Sequence, residues 1–142
     1  MVVDDIDNEL IRLLQEDAGQ SSYELAKHLM ISPGAIRRRK RRLIRKGIIR
    51  ERISLDYVKL GRPLAAHIAI NTNQAQLDAV YEALMKLDEV TRISIVVGRY
   101  DIEAFVQLPS TDELLGFIQD KVLTIEGITH CENFICLRMG KE

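Results

Sequence analysis

Residues 21–47 read SSYELAKHLMISPGAIRRRKRRLIRKG, and this stretch decides how the N-terminal part of the chain folds. Ser21 and Glu24 are spaced as a capping box, in which hydroxyl and carboxylate each satisfy a free backbone N–H of the first helical turn. Leu25, Ala26 and Leu29 follow as a short apolar stripe, which predicts a helix of about two turns. After Met30-Ile31, Ser32 stands as an N-cap and Pro33 as the first residue of another helix, where its missing N–H costs nothing. That helix is expected to run to Lys46 and stop at Gly47. Two short helices joined by a tight turn, the second one basic, form the helix-turn-helix arrangement.

Eight of the ten residues from Arg37 to Lys46 are basic. At 100° per residue Ile36, Leu43 and Ile44 define the buried face, so Arg38, Arg41, Arg42 and Arg45 point away from it with Arg37 on the flank. A charge run is ordinarily just a solvated face. Solvated helices, however, mix both signs for i,i+4 pairing, and this one meets no acid before Glu51. Cations packed this densely repel one another unless a polyanion neutralises them, which points to double-stranded DNA.

Working outward, Ile6, Leu10, Leu13 and Leu14 recur at helical spacing behind Asp4 and Asp5, and predict a helix ending near Ala18-Gly19. Downstream, residues 47–60 read as a strand-rich connector, with Ile48, Ile49, Ile53 and Leu55 apolar and Arg50 and Arg52 extending the basic surface. A wing or an interdomain strand would fit there. Gly61-Arg62-Pro63 breaks the pattern. The expected organisation is therefore a DNA-binding part over 1–50, a wing or linker over 51–62 and a second domain over 63–142.

From Leu64 the pattern becomes strand, helix, strand, strand, helix, strand. Leu64, Ala66, Ile68 and Ile70 alternate as one face of a strand, and Asn73 precedes a helix with the stripe Leu77, Val80, Tyr81, Leu84 and Leu87. Strands over 90–97 and 102–108 flank a turn at Gly98-Arg99-Tyr100-Asp101. Ser110 and Glu113 form a further capping box before Leu114, Phe117, Ile118 and Val122, and a last strand runs from about Thr129 to Leu137. This order is the split βαβ, or ferredoxin-like, topology, so the fold class is α+β. Both helices cover one face of such a sheet. By alternation the other carries His67, Ser94, Val96, Phe105 and Gln107, too apolar for free water and too polar for a dry core. A second copy of the chain is the expected cover, giving a homodimer that also pairs two recognition helices.

Composition limits the remaining function classes. The 142 residues, 46% hydrophobic and 29% charged, suit a folded protein of one or two small domains. The net charge of −1 hides an asymmetry: residues 1–62 hold 14 Lys/Arg against 9 Asp/Glu, and residues 63–142 hold 6 against 12. A basic module is joined to an acidic one. No apolar run approaches the roughly 18 residues that cross a bilayer, and the opening MVVDDID is acidic where a signal peptide would be basic, so a cytoplasmic protein without a membrane partner is expected. Cys131 and Cys136, five apart in one strand, point to opposite faces and cannot pair with each other. With three histidines and no CxxC, no metal and no cofactor are expected. No nucleophile–base constellation stands out either, and a single aromatic in the third strand argues against RNA stacking on the sheet.

Across essentially its whole length the chain resembles the Lrp/AsnC, or feast/famine, regulators. The resemblance rests on Asp4-x-Ile6-Asp7, Leu10-x-x-Leu13-Leu14, Leu25-Ala26, Ser32-Pro33, Arg39, Leu43, Gly47-Ile48-Ile49, Gly61 and Gly98-x-Tyr100-Asp101. It implies an N-terminal winged helix-turn-helix, a C-terminal dimerisation and effector domain, assembly beyond the dimer such as an octamer, and control by a small effector, commonly an amino acid. The candidate DNA contacts are Ser32, Gly34, Arg37, Arg38, Arg41, Arg42 and Arg45. The candidate effector residues are Gly98, Arg99, Tyr100, Asp101 and Asn133. Lys40 departs from the family by standing where an apolar residue is usual; its stem can pack while the ammonium reaches water. Val97, Cys131 and Asn133 depart near the effector turn. The alternative implied by the same resemblance is a haem-pathway decarboxylase-like enzyme without DNA binding.

Overall fold

The computed structural model describes residues 3–139. Both ends of the expected domain scheme, residues 1 and 142, lie outside them. The chain divides into two compact units with the boundary between Ser54 and Leu55.

The first unit is three helices: α1 (Asp5–Glu16), α2 (Ser22–Leu29) and α3 (Pro33–Arg45). Each start is fixed by a side-chain cap. Asp4 and Asp7 form one reciprocal box at α1 and Ser21 and Glu24 another at α2, while Ser32 accepts from Ala35 N ahead of Pro33. Leu10, Leu13, Leu25, Ala26, Ile36 and Leu43 bury together as the core. The turn between α2 and α3 passes through Met30 in the left-handed conformation, φ 52°, and Gly47 ends α3 at φ 71°. Lys40 leaves the helix unbroken. Its ammonium pairs with Glu51 at 2.7 Å, with the side chain half-buried.

Two expectations for this unit are corrected. Ile44 is not on the buried face but 39% exposed. It lies roughly 80° round from Ile36 at 100° per residue, off the centre of a stripe that Ile36 and Leu43 define. The connector after Gly47 contains no strand either: residues 49–56 form no ladder, and a turn follows at 57–61. A strand needs a neighbour for its N–H and C=O groups, and among the described residues the first unit offers no strand edge.

The second unit is a four-stranded antiparallel sheet in the order β2-β3-β1-β4, built from β1 (Leu64–Thr72), β2 (Val90–Ile95), β3 (Ile102–Leu108) and β4 (Ile128–Cys136). Asn73 caps a 3-10 turn, Gln74–Gln76, which leads into α4 (Leu77–Met85). Ser110 caps α5 (Thr111–Gly116) through a bond from Glu113 N, the forward half of the expected box. The helix then widens into a π-helical turn, Phe117–Val122. Bonding at i→i+5 brings Val122 to the side of Phe117, so Leu114, Phe117 and Val122 all bury. One sheet face packs Ala66, Ile68, Ile70, Ile102, Ala104 and Val106 under these helices.

The other face runs across the register His67↔Phe105 and His67↔Phe134. The His67 and Phe105 rings meet edge to face at 4.7 Å, and the Arg92 guanidinium lies 5.3 Å over the Phe105 ring. Phe105 and Gln107 are thus buried within one chain, whereas Phe134 remains 50% exposed. Both cysteines are free, Cys131 facing the helices opposite Ile70 and Cys136 on the other face opposite Ala65. Burial pushes the Cys131 thiol pKa up.

Candidate nucleic-acid interface and ligand turn

The helix-turn-helix sorts its cations by azimuth. With Ile36 at the core, Arg38, Arg41 and Arg45 fall within roughly 40° of the opposite side at 100° per residue, and Arg37 falls on the flank. Arg37, Arg38, Arg41, Arg45 and Lys46 are all exposed. None has an acidic partner among the described residues. Arg38, Arg41 and Arg45, with Arg42 and Ile44, line an open groove of about 450 Å³. Ser32 is exposed and Gly34 half-buried at the start of the same helix.

Arg42 does not point away from the protein as the helical phase led us to expect. It lies roughly 120° from Ile36 on the side facing α1, and its Nη2 donates to Oδ2 of Asp7. Arg39, which the sequence does not mark as paired, donates from Nη1 to Asp4 Oδ2 at 2.6 Å and to Asp7 Oδ1 at 2.8 Å. Asp7 is fully buried. Its backbone N–H donates to Asp4 Oδ1 at 2.8 Å, closing the cap and the ion pairs into one network. The Arg39 guanidinium, then the Asp7 N–H, hold the Asp4 carboxyl below its usual range, and the same carboxylates raise the Arg39 pKa. Asp4, Asp7, Arg39 and Arg42 sum to zero charge. With Lys40 paired to Glu51, the eight cations from Arg37 to Lys46 leave five without an acidic partner: Arg37, Arg38, Arg41, Arg45 and Lys46.

The Gly98–Asp101 turn is tied to β1 and to the end of β2 by hydrogen bonds. Val96 N donates to Asp101 O at 2.9 Å, Asp101 N to Ile70 O at 3.0 Å, and the Asn71 amide to Arg99 O at 2.8 Å. The N–H groups of Gly98, Arg99 and Tyr100 carry no bond among the described residues. Asp101 is partly used already: its Oδ2 accepts from Thr72 N at 2.8 Å and from the Thr72 hydroxyl at 3.4 Å. Beside the turn stands Glu132 of β4, a residue the sequence reading missed. It accepts from the Tyr100 hydroxyl, meets His130 Nε2 at 3.2 Å and pairs with Arg99 at 3.5 Å. The Tyr100 bond, then the His130 bond, lower the Glu132 pKa, and Glu132 raises that of Tyr100. Only the sheet register could have found Glu132. The same register sets Asn133 opposite Ile68, on the helix-covered face, so Asn133 does not join Gly98, Arg99, Tyr100 and Asp101 within one chain.

Among the described residues no cluster of His, Cys, Asp and Glu could hold a metal ion, and no helix is long and apolar enough to cross a membrane.

Comparison with known proteins agrees with both halves. Residues 3–50 match the family of winged helix-turn-helix DNA-binding domains and residues 65–142 match the Lrp/AsnC ligand binding domain. An uncharacterised HTH-type transcriptional regulator of Pyrococcus abyssi is 37% identical over 98% of this chain and 89% of its own. The solved structure of E. coli AsnC, 29% identical, covers 100% of this chain and 97% of its own with a TM-score of 0.89. A Neisseria meningitidis transcriptional regulator solved as a complex with L-Met shares the fold at a TM-score of 0.91 and 22% identity, over 99% of this chain and 93% of that one. The basic helix-turn-helix and the ferredoxin-like sheet are thus the two halves of one regulator, and the chain belongs to the Lrp/AsnC family of DNA-binding transcriptional regulators.

Proposed function

We propose that this regulator reads duplex DNA with Arg37, Arg38 and Arg41 against base edges and Arg45 and Lys46 against phosphates. Ser32 and Gly34, at the N-terminus of α3, meet the sugar–phosphate backbone. The observation that carries this reading is the set of five exposed cations without an acidic partner along α3 and at its C-cap, three of them opposite the core. Arg42 is left out because Asp7 occupies it. Replacing Arg38 by Ala costs about 1 to 3 kcal/mol on the preferred sequence and relaxes preference, whereas Arg45→Ala weakens all sequences alike and lowers the salt slope by about 1. Fluorescence anisotropy over a salt series tests this. Equal affinity of wild type and an Arg38→Ala/Arg41→Ala variant for every duplex would end the assignment.

The ligand of the C-terminal unit is an amino acid held at the Gly98–Asp101 turn. The free N–H groups of Gly98 to Tyr100 suit an α-carboxylate, and Asp101 Oδ1, left over by Thr72, suits an α-ammonium. The L-Met bound to the Neisseria relative supports that ligand class. The chain works as a homodimer joined through the sheet face bearing His67, Phe105 and Phe134, and assembles further, for example into an octamer. A thermal-shift screen against the amino acids finds the ligand, since one that binds only the native state raises its stability. Regulation further requires unequal affinity for two assemblies, because equal affinity shifts nothing.

A further inference from the structure

The Asp4–Asp7–Arg39–Arg42 network lies on the side of α3 that the proposed DNA contact does not use, and it asks for its own explanation. A fully buried carboxylate is expensive unless its charge is paired and its lone pairs are filled. Asp7 meets both conditions by pairing with two guanidinium groups of a helix whose other arginines are exposed. Arg39 is the more enclosed of the two, at 23% side-chain exposure. Arg42, at 37%, still borders the clefts lined by Arg38 and Arg45. Its Nε is buried without a partner, so a cost is accepted to keep the group where it is.

We propose that Asp7 is a positioning residue for DNA recognition: its buried carboxylate holds Arg42 against α1 and keeps that guanidinium off the phosphate backbone. The inference rests on the reading of α3 as the DNA-contacting helix. The physical consequence is a limit on sequence-independent affinity. Each phosphate that a protein neutralises steepens the dependence of log K on log salt by about 0.9 on duplex DNA. An Arg42 free to swing outward adds one such contact on every sequence and dilutes the discrimination supplied by Arg37, Arg38 and Arg41. Asp7 thus acts through Arg42 rather than by touching DNA.

The test compares salt slopes of the full-length wild type with Asp7→Asn, Arg42→Gln and the double variant, on the preferred duplex and on a scrambled one. Removing the carboxylate charge while keeping the shape releases Arg42. Asp7→Asn steepens the slope by about 1, equivalent to roughly 3.5-fold more affinity lost between 50 and 200 mM salt, and narrows the gap between the two duplexes. Arg42→Gln alone leaves the slope at the wild-type value, and the double variant returns to it. A merely structural role for Asp7 would change stability but not the slope. A slope reduced by about 1 in Arg42→Gln overturns the proposal, because Arg42 would then already hold a phosphate, and so does a folded Asp7→Asn with a wild-type slope. If Asp7→Asn does not fold, the Arg42→Gln slope decides alone. Wild-type protein that binds no duplex at any salt concentration sinks the DNA-contact reading instead, a result distinguishable from all of these.

Discussion

The two left-handed residues that bracket the second and third helices offer a matched pair of substitutions with opposite signs. Met30 sits at φ 52° and ψ 39° as the C-cap of α2, with 90% of its surface exposed. A Cβ in this conformation crowds the following carbonyl, a strain of roughly 1–2 kcal/mol, and glycine escapes it. Glycine also loses more chain entropy on folding, about 0.4–1 kcal/mol, and so little Met30 surface is buried that no packing offsets the exchange. Met30→Gly is therefore expected to stabilise the helix-turn-helix by about 0.5–1 kcal/mol. Gly47 is the mirror case: φ is 71° and an added Cβ meets nothing within 4 Å. Gly47→Ala incurs the strain without a clash, and should destabilise by the same 0.5–1 kcal/mol or so. Urea titration followed by helical circular dichroism reads both. With a slope of roughly 1 kcal/mol/M for so small a unit, the midpoint moves by about 0.5–1 M, upward for Met30→Gly and downward for Gly47→Ala, and the double variant stays near wild type. A lowered midpoint in Met30→Gly, or none of the expected loss in Gly47→Ala, would refute the reasoning from backbone strain.

In the second unit, Gly127 has φ 101° and an added Cβ would lie 2.8 Å from Gln76 Cβ and Oε1, so Gly127→Ala should cost about 1–3 kcal/mol. Adding Gln76→Ala removes the Oε1 contact but keeps the Cβ one, so it should recover only part of that cost in thermal melts. Acid should weaken the first unit through Asp4: its folded pKa is lowered, so its contribution is complete above the unfolded value near 3.9 and fades as pH falls through the folded one. Melting temperatures at pH 7 and pH 3 should then converge in Asp4→Asn relative to wild type. Phe134→Glu alters a half-exposed ring rather than the buried Phe105, and should leave the fold intact while converting the proposed dimer to monomer; light scattering that still gives a wild-type mass would move the proposed contact elsewhere.

The elements legible from sequence are those whose signals are local. Ser21 with Glu24, Ser32 before Pro33, and the alternation from Leu64 to Ile70 each fix an element within a few residues of chain, and α2, α3 and β1 formed where those signals lie. The connector failed for the opposite reason. Ile48, Ile49, Ile53 and Leu55 carry strand propensity, but a strand exists only with a partner, and propensity does not supply one. The Gly98–Asp101 turn shows the same division. Gly98-x-Tyr100-Asp101 is visible as a motif, yet Glu132, which receives the Tyr100 hydroxyl, arrives through the pairing of β4 with β1.

The cations of α3 make the point quantitatively. Read along the helix, eight charges in ten residues look like one electrostatic surface. In the fold, Arg39 and Arg42 are balanced by acids at sequence separations of 35 and 32 residues, and Lys40 by Glu51. Helical phase alone could hint at the distinction, because Arg39 and Lys40 fall roughly 60° and 40° from the buried stripe, while Arg38 and Arg45 fall opposite it. It could not identify the partners, since Asp4 and Asp7 already have a local role as the cap of α1. One pair of carboxylates thus does two things: it starts the first helix and it pairs with Arg39 and Arg42, leaving Arg37, Arg38, Arg41 and Arg45 without an acidic partner. The salt dependence of binding should accordingly carry the phosphate contacts of Arg45 and Lys46 and nothing from Arg39, Lys40 or Arg42.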